Sequence, residues 1–328
     1  MRHTIIAAGL TMIAGVAQAQ TPVLTVYTYD SFNTEWGPGP AVEAAFEDIC
    51  GCDLQFVTAG DGAALLSRLR LEGARSDADI VLGLDTNLTA AAVETGLIAE
   101  HGLMAEGLSL PVAWEDMHFL PYDWGYFAFV HRTDLADVPT SFEVLAASDV
   151  SIVVQDPRSS TPGLGLLLWV QNAYGDRAAE IWEGLSDNIV TVTPGWSESY
   201  DLFLEGEADM VLSYTTSPAY HLIAEEDDGF TAAAFDEGHY MQIEVAGVLA
   251  NSDQPELARD FLTFMLSGAF QSVIPTTNWM YPAALPASEW PEGFETLIQP
   301  ETALVYDAEE AAAIRDAALA TWQSALSN

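Results

Sequence analysis

What most constrains this chain is an order repeated along it: a short β-rich run, a turn of Gly, Ser, Asp or Pro, then a helical pattern. Alternation over 23–29 predicts a first strand, leading through Asp30-Ser31-Phe32 and the turn Trp36-Gly37-Pro38-Gly39-Pro40 into a helix over 41–48. A strand over 54–58 follows, then Ala59-Gly60-Asp61-Gly62 and an amphipathic helix over 63–72 with Leu65, Leu66 and Leu69 on one face. The run 78–84 predicts a buried strand, and Asp85-Thr86-Asn87 reads as the cap of the next helix. Such alternation predicts an α/β lobe built on a parallel, doubly wound sheet.

The pattern breaks at 123–130, Asp-Trp-Gly-Tyr-Phe-Ala-Phe-Val, an aromatic alternation with no strong helix behind it. This predicts a long strand leaving the first lobe. Strand–helix units then resume: a strand over 151–155, the turn Ser159-Ser160-Thr161-Pro162, and a helix over 163–174. A strand over 188–192 leads to Ser197 as the N-cap of a helix reaching 204, and a strand over 209–214 leads to Ser217-Pro218, which opens another helix. A strand over 242–250 and helices over 256–265 and 308–326 complete the chain. Strong βα runs on either side of an aromatic strand fit two lobes joined by crossing strands, with a ligand held between them. The expected division is 20–124 with 247–328 as lobe 1 and 125–246 as lobe 2, with bending near 124–130 and 242–247.

Residues 193–220 hold two consecutive strand-to-helix turns, which in a parallel sheet lie at the carboxyl ends of the strands, where ligands bind. Helix N-termini there offer free N–H groups to an anion, and Trp196, Tyr214 and Tyr220 add flat apolar faces for a cationic ring. Asp61-Gly62 reads equally as a helix cap or as an anion nest or a carboxylate facing a cation, whereas Ser160-Thr161 reads first as a plain cap, with hydroxyls and amides available to a phosphate as the sharper option. Enzyme signatures are missing: no G-x-S-x-G elbow, H-E-x-x-H, Walker A loop or C-x-x-C is present. Gly163-Leu164-Gly165 lacks the third glycine of a dinucleotide fingerprint and reads as helix packing. His118, His131, His221 and His239 have no metal spacing. Neither a catalytic set nor a metal site nor a cofactor is expected.

Composition narrows the partners. The 328 residues carry 49 acids against 9 Lys plus Arg, a net charge of −40, which repels nucleic acid. The charge reads as a solvated acidic surface, with steering of a cationic ligand as the alternative. Arg2, an apolar run over 4–16 and Ala17-Gln18-Ala19 predict a signal peptide over 1–19, cleaved after Ala19, and hence export to the periplasm. The apolar run is too short to span a bilayer. Cys50 and Cys52 flank one glycine; an oxidising compartment permits a disulfide there, closing a tiny loop.

Long stretches carry a resemblance. Residues 24–32, Leu-Thr-Val-Tyr-Thr-Tyr-Asp-Ser-Phe, the turn 36–40, residues 155–169, Gln-Asp-Pro-Arg-Ser-Ser-Thr-Pro-Gly-Leu-Gly-Leu-Leu-Leu-Trp, residues 212–220, Leu-Ser-Tyr-Thr-Thr-Ser-Pro-Ala-Tyr, and Asn278-Trp279-Met280-Tyr281-Pro282 are similar to the periplasmic thiamine-binding proteins of bacterial thiamine ABC importers. The resemblance runs from about 23 to 322. It implies a two-lobed, type II periplasmic binding protein fold with its cleft between lobes. It also implies capture of thiamine, thiamine monophosphate or thiamine diphosphate by a monomer, and delivery to an inner-membrane permease with its ATPase. It places ligand contacts at Asp61, Gly62, Ser160, Thr161, Trp196, Tyr214, Thr215, Thr216 and Ser217, with Tyr29, Trp36, Tyr220 and Trp279 as further candidates for the cleft wall. The chain departs from enterobacterial relatives in having acids or alanine where surface lysines are expected. A ferric-ion or polyamine binder and an exported phosphate-ester hydrolase are the competing expectations.

Overall fold

The computed structural model describes residues 21–327; the signal segment expected over 1–19 lies outside them. The first half of the chain builds β1 (Val23–Thr28), α1 (Gly39–Cys50), β2 (Asp53–Thr58), α2 (Gly62–Glu72), β3 (Ile80–Asp85) and the short α3 (Thr89–Val93). β1 lies parallel between β2 and β3, as βα alternation demands. Cys50 and Cys52 are joined in a disulfide at the end of α1, with Gly51 between them in the left-handed region, φ 64°. That conformation costs glycine little and lets the chain reverse inside so small a loop.

β4 (Phe119–Arg132) then crosses the molecule. It is longer than the aromatic alternation suggested and buried along its length except at Arg132. Beyond it come α4 (Phe142–Ala146), β5 (Ile152–Gln155), α5 (Thr161–Tyr174), α6 (Ala178–Leu185), β6 (Ile189–Thr193), α7 (Trp196–Leu204), β7 (Met210–Tyr214), α8 (Pro218–Ala224) and β8 (Phe230–Ala232). β5 runs parallel to both β6 and β7. The chain returns along β9 (His239–Val248), which starts three residues earlier than the pattern predicted. It finishes with α9 (Pro255–Met265), α10 (Gly268–Gln271), α11 (Ile274–Thr277), β10 (Tyr281–Pro282), β11 (Ala303–Leu304) and α12 (Ala308–Ala325).

All strands connect in the order β2-β1-β3-β9-β4-β7-β5-β6, with β10 beside Asp123 and Trp124 of β4, β8 at its C-terminal end and β11 beside β9. β9 inserts antiparallel between β3 and β4, over Phe119–Tyr126 of the latter. From Phe127 onward β4 pairs instead with β7. The first half of β4 thus belongs to one sheet and its second half to the other, so β4 and β9 are the crossing strands expected between two lobes. In the first lobe α1 and α9 cover the sheet through Phe46, Phe261 and Phe264, with Phe46 and Phe261 rings 5.1 Å apart edge to face. In the second, Phe129, Phe142 and Phe235 surround Trp169, whose indole N–H donates to the Gly238 carbonyl at 3.0 Å. α12 lies against α3, α5 and α6. Among the described residues no helix is long and apolar enough to cross a membrane.

Candidate functional site

The heads of α2, α5 and α7 meet where the two sheets face each other, and their caps are exchanged. Asp61, Ser160 and Gly195 hold the N-cap positions of the three helices, yet none makes a side-chain bond to its own helix. Instead the Ser160 hydroxyl donates to Asp61 Oδ2 at 2.6 Å, and the Trp196 N–H, first in α7, donates to the same oxygen at 3.1 Å. The Gly62 N–H, first in α2, donates to Thr161 Oγ1 at 3.2 Å, and Ala64 N–H to the Ser159 carbonyl at 3.0 Å. Each lobe therefore satisfies the orphan amides of the other. A Cβ on Gly62 would stand 2.6 Å from Thr161 Oγ1, so glycine is what allows this approach. Burial pushes the Asp61 carboxyl up to about 7, against the Ser160 and Trp196 hydrogen bonds that favour its charged form.

Beside this junction opens a cavity of roughly 500 Å³, a size suited to a small organic ligand. Asp61, Thr161, Trp196, Tyr214 and Ser217 line it, as do Tyr29, Trp36, Tyr220 and Trp279. Gly62, Ser160, Thr215 and Thr216 are buried and are not among its lining residues. Trp36, 53% exposed, stands at the mouth. Trp196 is held as a flat wall: its ring stacks on Tyr200 at 5.0 Å, Tyr200 stacks on His221, and its indole N–H donates to Ser213 Oγ at 2.8 Å. Trp279 packs edge-on to Tyr220 at 5.5 Å. Its backbone has φ 56°, a left-handed conformation that a tryptophan adopts only at a cost of about 1–2 kcal/mol. Such strain gathers at ligand clamps.

The cap assignments drawn from the sequence need correction here. Ser197 is the second residue of α7, whose cap is Gly195. Ser217 does precede α8, but its hydroxyl lies 2.7 Å from Ser213 Oγ and accepts the Tyr214 N–H, with no bond to the helix it precedes. Asp85 and Asn87 do not cap α3, which begins after Leu88; the Asn87 amide donates to Asp85 Oδ2 at 2.7 Å inside the core.

Sequence reasoning missed the floor of the cavity. Glu244 on β9 and Asn278 after α11 both line it. The Tyr122 hydroxyl donates to Glu244 Oε2 at 3.0 Å, and the Tyr29 hydroxyl lies 3.2 Å from that oxygen and 3.0 Å from Asn278 Oδ1. The Asn278 amide donates to Asp123 Oδ2 at 2.6 Å. Burial raises both the Asp123 and Glu244 carboxyls, and the Glu244 charge raises Asp123 further. Glu244 carried no motif; only its place in a strand otherwise buried, Gln242-Ile243-Glu244-Val245, hinted at a site. No arginine lines the cavity, and among the described residues no group of three or more His, Cys, Asp or Glu is placed to hold a metal ion. The site can therefore offer aromatic faces to a planar ring and a carboxyl to a cation.

Residues 34–271 match the family model of the bacterial extracellular solute-binding proteins. The chain is 55% identical over 309 residues to the thiamine-binding periplasmic protein of Escherichia coli K12, covering 93% of this chain and 94% of that one. It is 48% identical over 318 residues to the protein of the same name from Brucella suis, covering 96% and 95%. A solved structure described as a periplasmic thiamin binding protein superposes with a TM-score of 0.92 at 53% identity, covering 94% of this chain and 98% of that one.

Proposed function

The chain belongs to the bacterial extracellular solute-binding proteins, and from that premise we propose that it captures thiamine in the periplasm and delivers it to an inner-membrane ABC permease with its ATPase. The observation that carries this is the pairing of aromatic walls, Trp196, Tyr220 and Trp279, with an acidic floor at Glu244. Thiamine has a cationic thiazolium and a flat aminopyrimidine. Aromatic faces and a carboxylate address both, through cation–π attraction and direct charge pairing. Thiamine monophosphate and diphosphate carry an anionic tail as well, and the hydroxyls of Ser31, Ser197, Thr276 and Thr277 around the same cavity are the donors offered to it.

In this reading the protein is an exported monomer that binds and does not turn over its ligand. Lobe 1 comprises 20–124 and 247–328 and lobe 2 comprises 125–246, with α12 strapped across onto α5 and α6. Opening bends β4 and β9 and separates Asp61 from Ser160 and Trp196; ligand and latch together favour the closed form. The test is tryptophan fluorescence during titration with thiamine and its two phosphates, with spermidine and ferric ion as competitors. Saturable change with the thiamine compounds alone is expected. Change with spermidine or iron alone would transfer the chain to the polyamine or iron binders, and phosphate release from thiamine monophosphate would make it a hydrolase.

A further inference from the structure

Behind Glu244, which lines the cavity, stand more carboxyls than a ligand contact alone requires. Glu244 on β9 is directly opposite Asp85 on β3 and Asp123 on β4. Directly opposed residues project from the same face of a sheet, so three carboxyls stand in one row across the strands that join the lobes. Asp85 and Asp123 are fully buried and Glu244 is 5% exposed. The arginine ion pairs lie elsewhere, with Glu72, Asp156, Glu143, Glu180, Glu256 and Asp316. The other titratable groups around the row are the Tyr29 and Tyr122 phenols beside Glu244, the Tyr214 phenol from β7, the Tyr240 phenol near Asp85, and Asp61 from the head of α2. All are neutral or negative.

Hydrogen bonding points the same way. Asp85 Oδ1, Asp123 Oδ1 and, two residues along the same face of β9, the buried Gln242 Oε1 are acceptors with no donor among the described residues. These three oxygens lack donors, although Asn87, Asn278 and Tyr122 serve the other oxygens of the row, and no positive charge stands beside it. A proton supplies both, and so does an organic cation laid against Glu244.

We propose that the Asp85–Glu244–Asp123 row selects for a cationic ligand by exchange: the empty cleft holds a proton on the row, and the ligand's cationic ring displaces it to solvent. This rests on the thiamine reading and adds to it. In the exchange the O–H bond of a carboxylic acid breaks, the proton passes to buffer, and the resulting carboxylate faces the thiazolium, so one positive charge enters as one leaves. Burial raises both Asp123 and Glu244, and the Glu244 charge raises Asp123 further, so the row keeps its proton to higher pH than free carboxyls do. The carboxyl pKa falls when the cation arrives. Binding therefore strengthens as pH rises through the row's ligand-free titration range, by up to about tenfold per pH unit, and levels off above it.

Isothermal calorimetry of thiamine binding at one pH, in buffers of different ionisation enthalpy, counts the protons exchanged. Closure by itself buries Asp61 and draws a proton in, the opposite sign, so the titration is run with the wild-type chain and with Asp61→Asn. Release approaching one proton per thiamine in Asp61→Asn is expected, with a smaller release or none in the wild type. The loss of that release in Asp61→Asn combined with Asp123→Asn would assign the proton to the row. The hydroxymethylpyrimidine half of thiamine, which lacks the cationic ring, should release none. Thiamine binding without buffer dependence in Asp61→Asn, or proton uptake there, overturns the exchange and leaves the thiamine reading standing. A wild-type chain that gives no thiamine heat in any buffer removes that reading, and the exchange with it.

Discussion

Replacing Asp61 separates closure of the cleft from contact with the ligand. In Asp61→Ala the Ser160 hydroxyl and the Trp196 N–H, now 2.6 and 3.1 Å from Asp61 Oδ2, lose their acceptor in the closed form only, because opening returns both to water. A desolvated donor left unpaired costs about 1–3 kcal/mol. Two of them, at a site that is partly exposed, weaken closure by about 2–4 kcal/mol, or roughly 30- to 1,000-fold in Kd. Asp61→Asn keeps an acceptor oxygen and removes a charge that burial already disfavours, with its carboxyl pushed up to about 7. It should stay within about threefold of wild type. Calorimetric titration with thiamine measures both. Equal, large losses in the two variants would mean that the carboxylate faces the cation directly, and no loss in either would mean that the exchanged caps contribute nothing to closure.

Trp196→Ala should cost about 1–3 kcal/mol of thiamine binding, since it removes one stacking face of the cavity; unchanged affinity by calorimetry would take Trp196 out of the site. Gly62→Ala places a methyl 2.6 Å from Thr161 Oγ1 across the cleft and 2.7 Å from the Gly83 carbonyl oxygen, and it should weaken thiamine at least about tenfold. Full affinity in that variant would show that the lobes need not meet there. Removing the disulfide with Cys50→Ser and Cys52→Ser together should lower unfolding stability by less than about 2 kcal/mol in denaturant titration, because so short a loop restricts the unfolded chain little. Asp85, pushed up to about 7 by burial, is harder to ionise folded than unfolded. Its contribution favours the folded state at low pH and is lost as pH rises from about 4 to about 7, so the melting temperature should fall across that window, and Asp85→Asn should flatten the fall.

The fold was legible because strand alternation, helical periodicity and the turn residues between them agree. The runs around β1, β2, β3, β5, β6 and β7 were each found to within a few residues. α4, α10 and α11 are five residues or fewer, too short to show a helical period. β10 and β11 are two-residue strands specified by their partners on β4 and β9. Within the site the aromatic walls were visible, since Trp196, Tyr214 and Tyr220 stand beside turns. Caps were harder. A serine or aspartate before a helix looks the same in sequence whether its oxygen serves its own helix or, as at Asp61 and Ser160, reaches across to another. Glu244 and Asp123 are brought together by the pairing of strands far apart in the chain, which no local pattern encodes.

The position of β9 also governs how the molecule is assembled. β3 has one neighbour early, in β1, while its other edge stays bare until residues 244–248 arrive from far along the chain. An exposed row of backbone donors and acceptors invites mispairing, and contacts of such long sequence separation form slowly. The sheet of the N-terminal lobe is thus completed only after residues 244–248 have been made, so its last antiparallel edge is set by the second half of the chain.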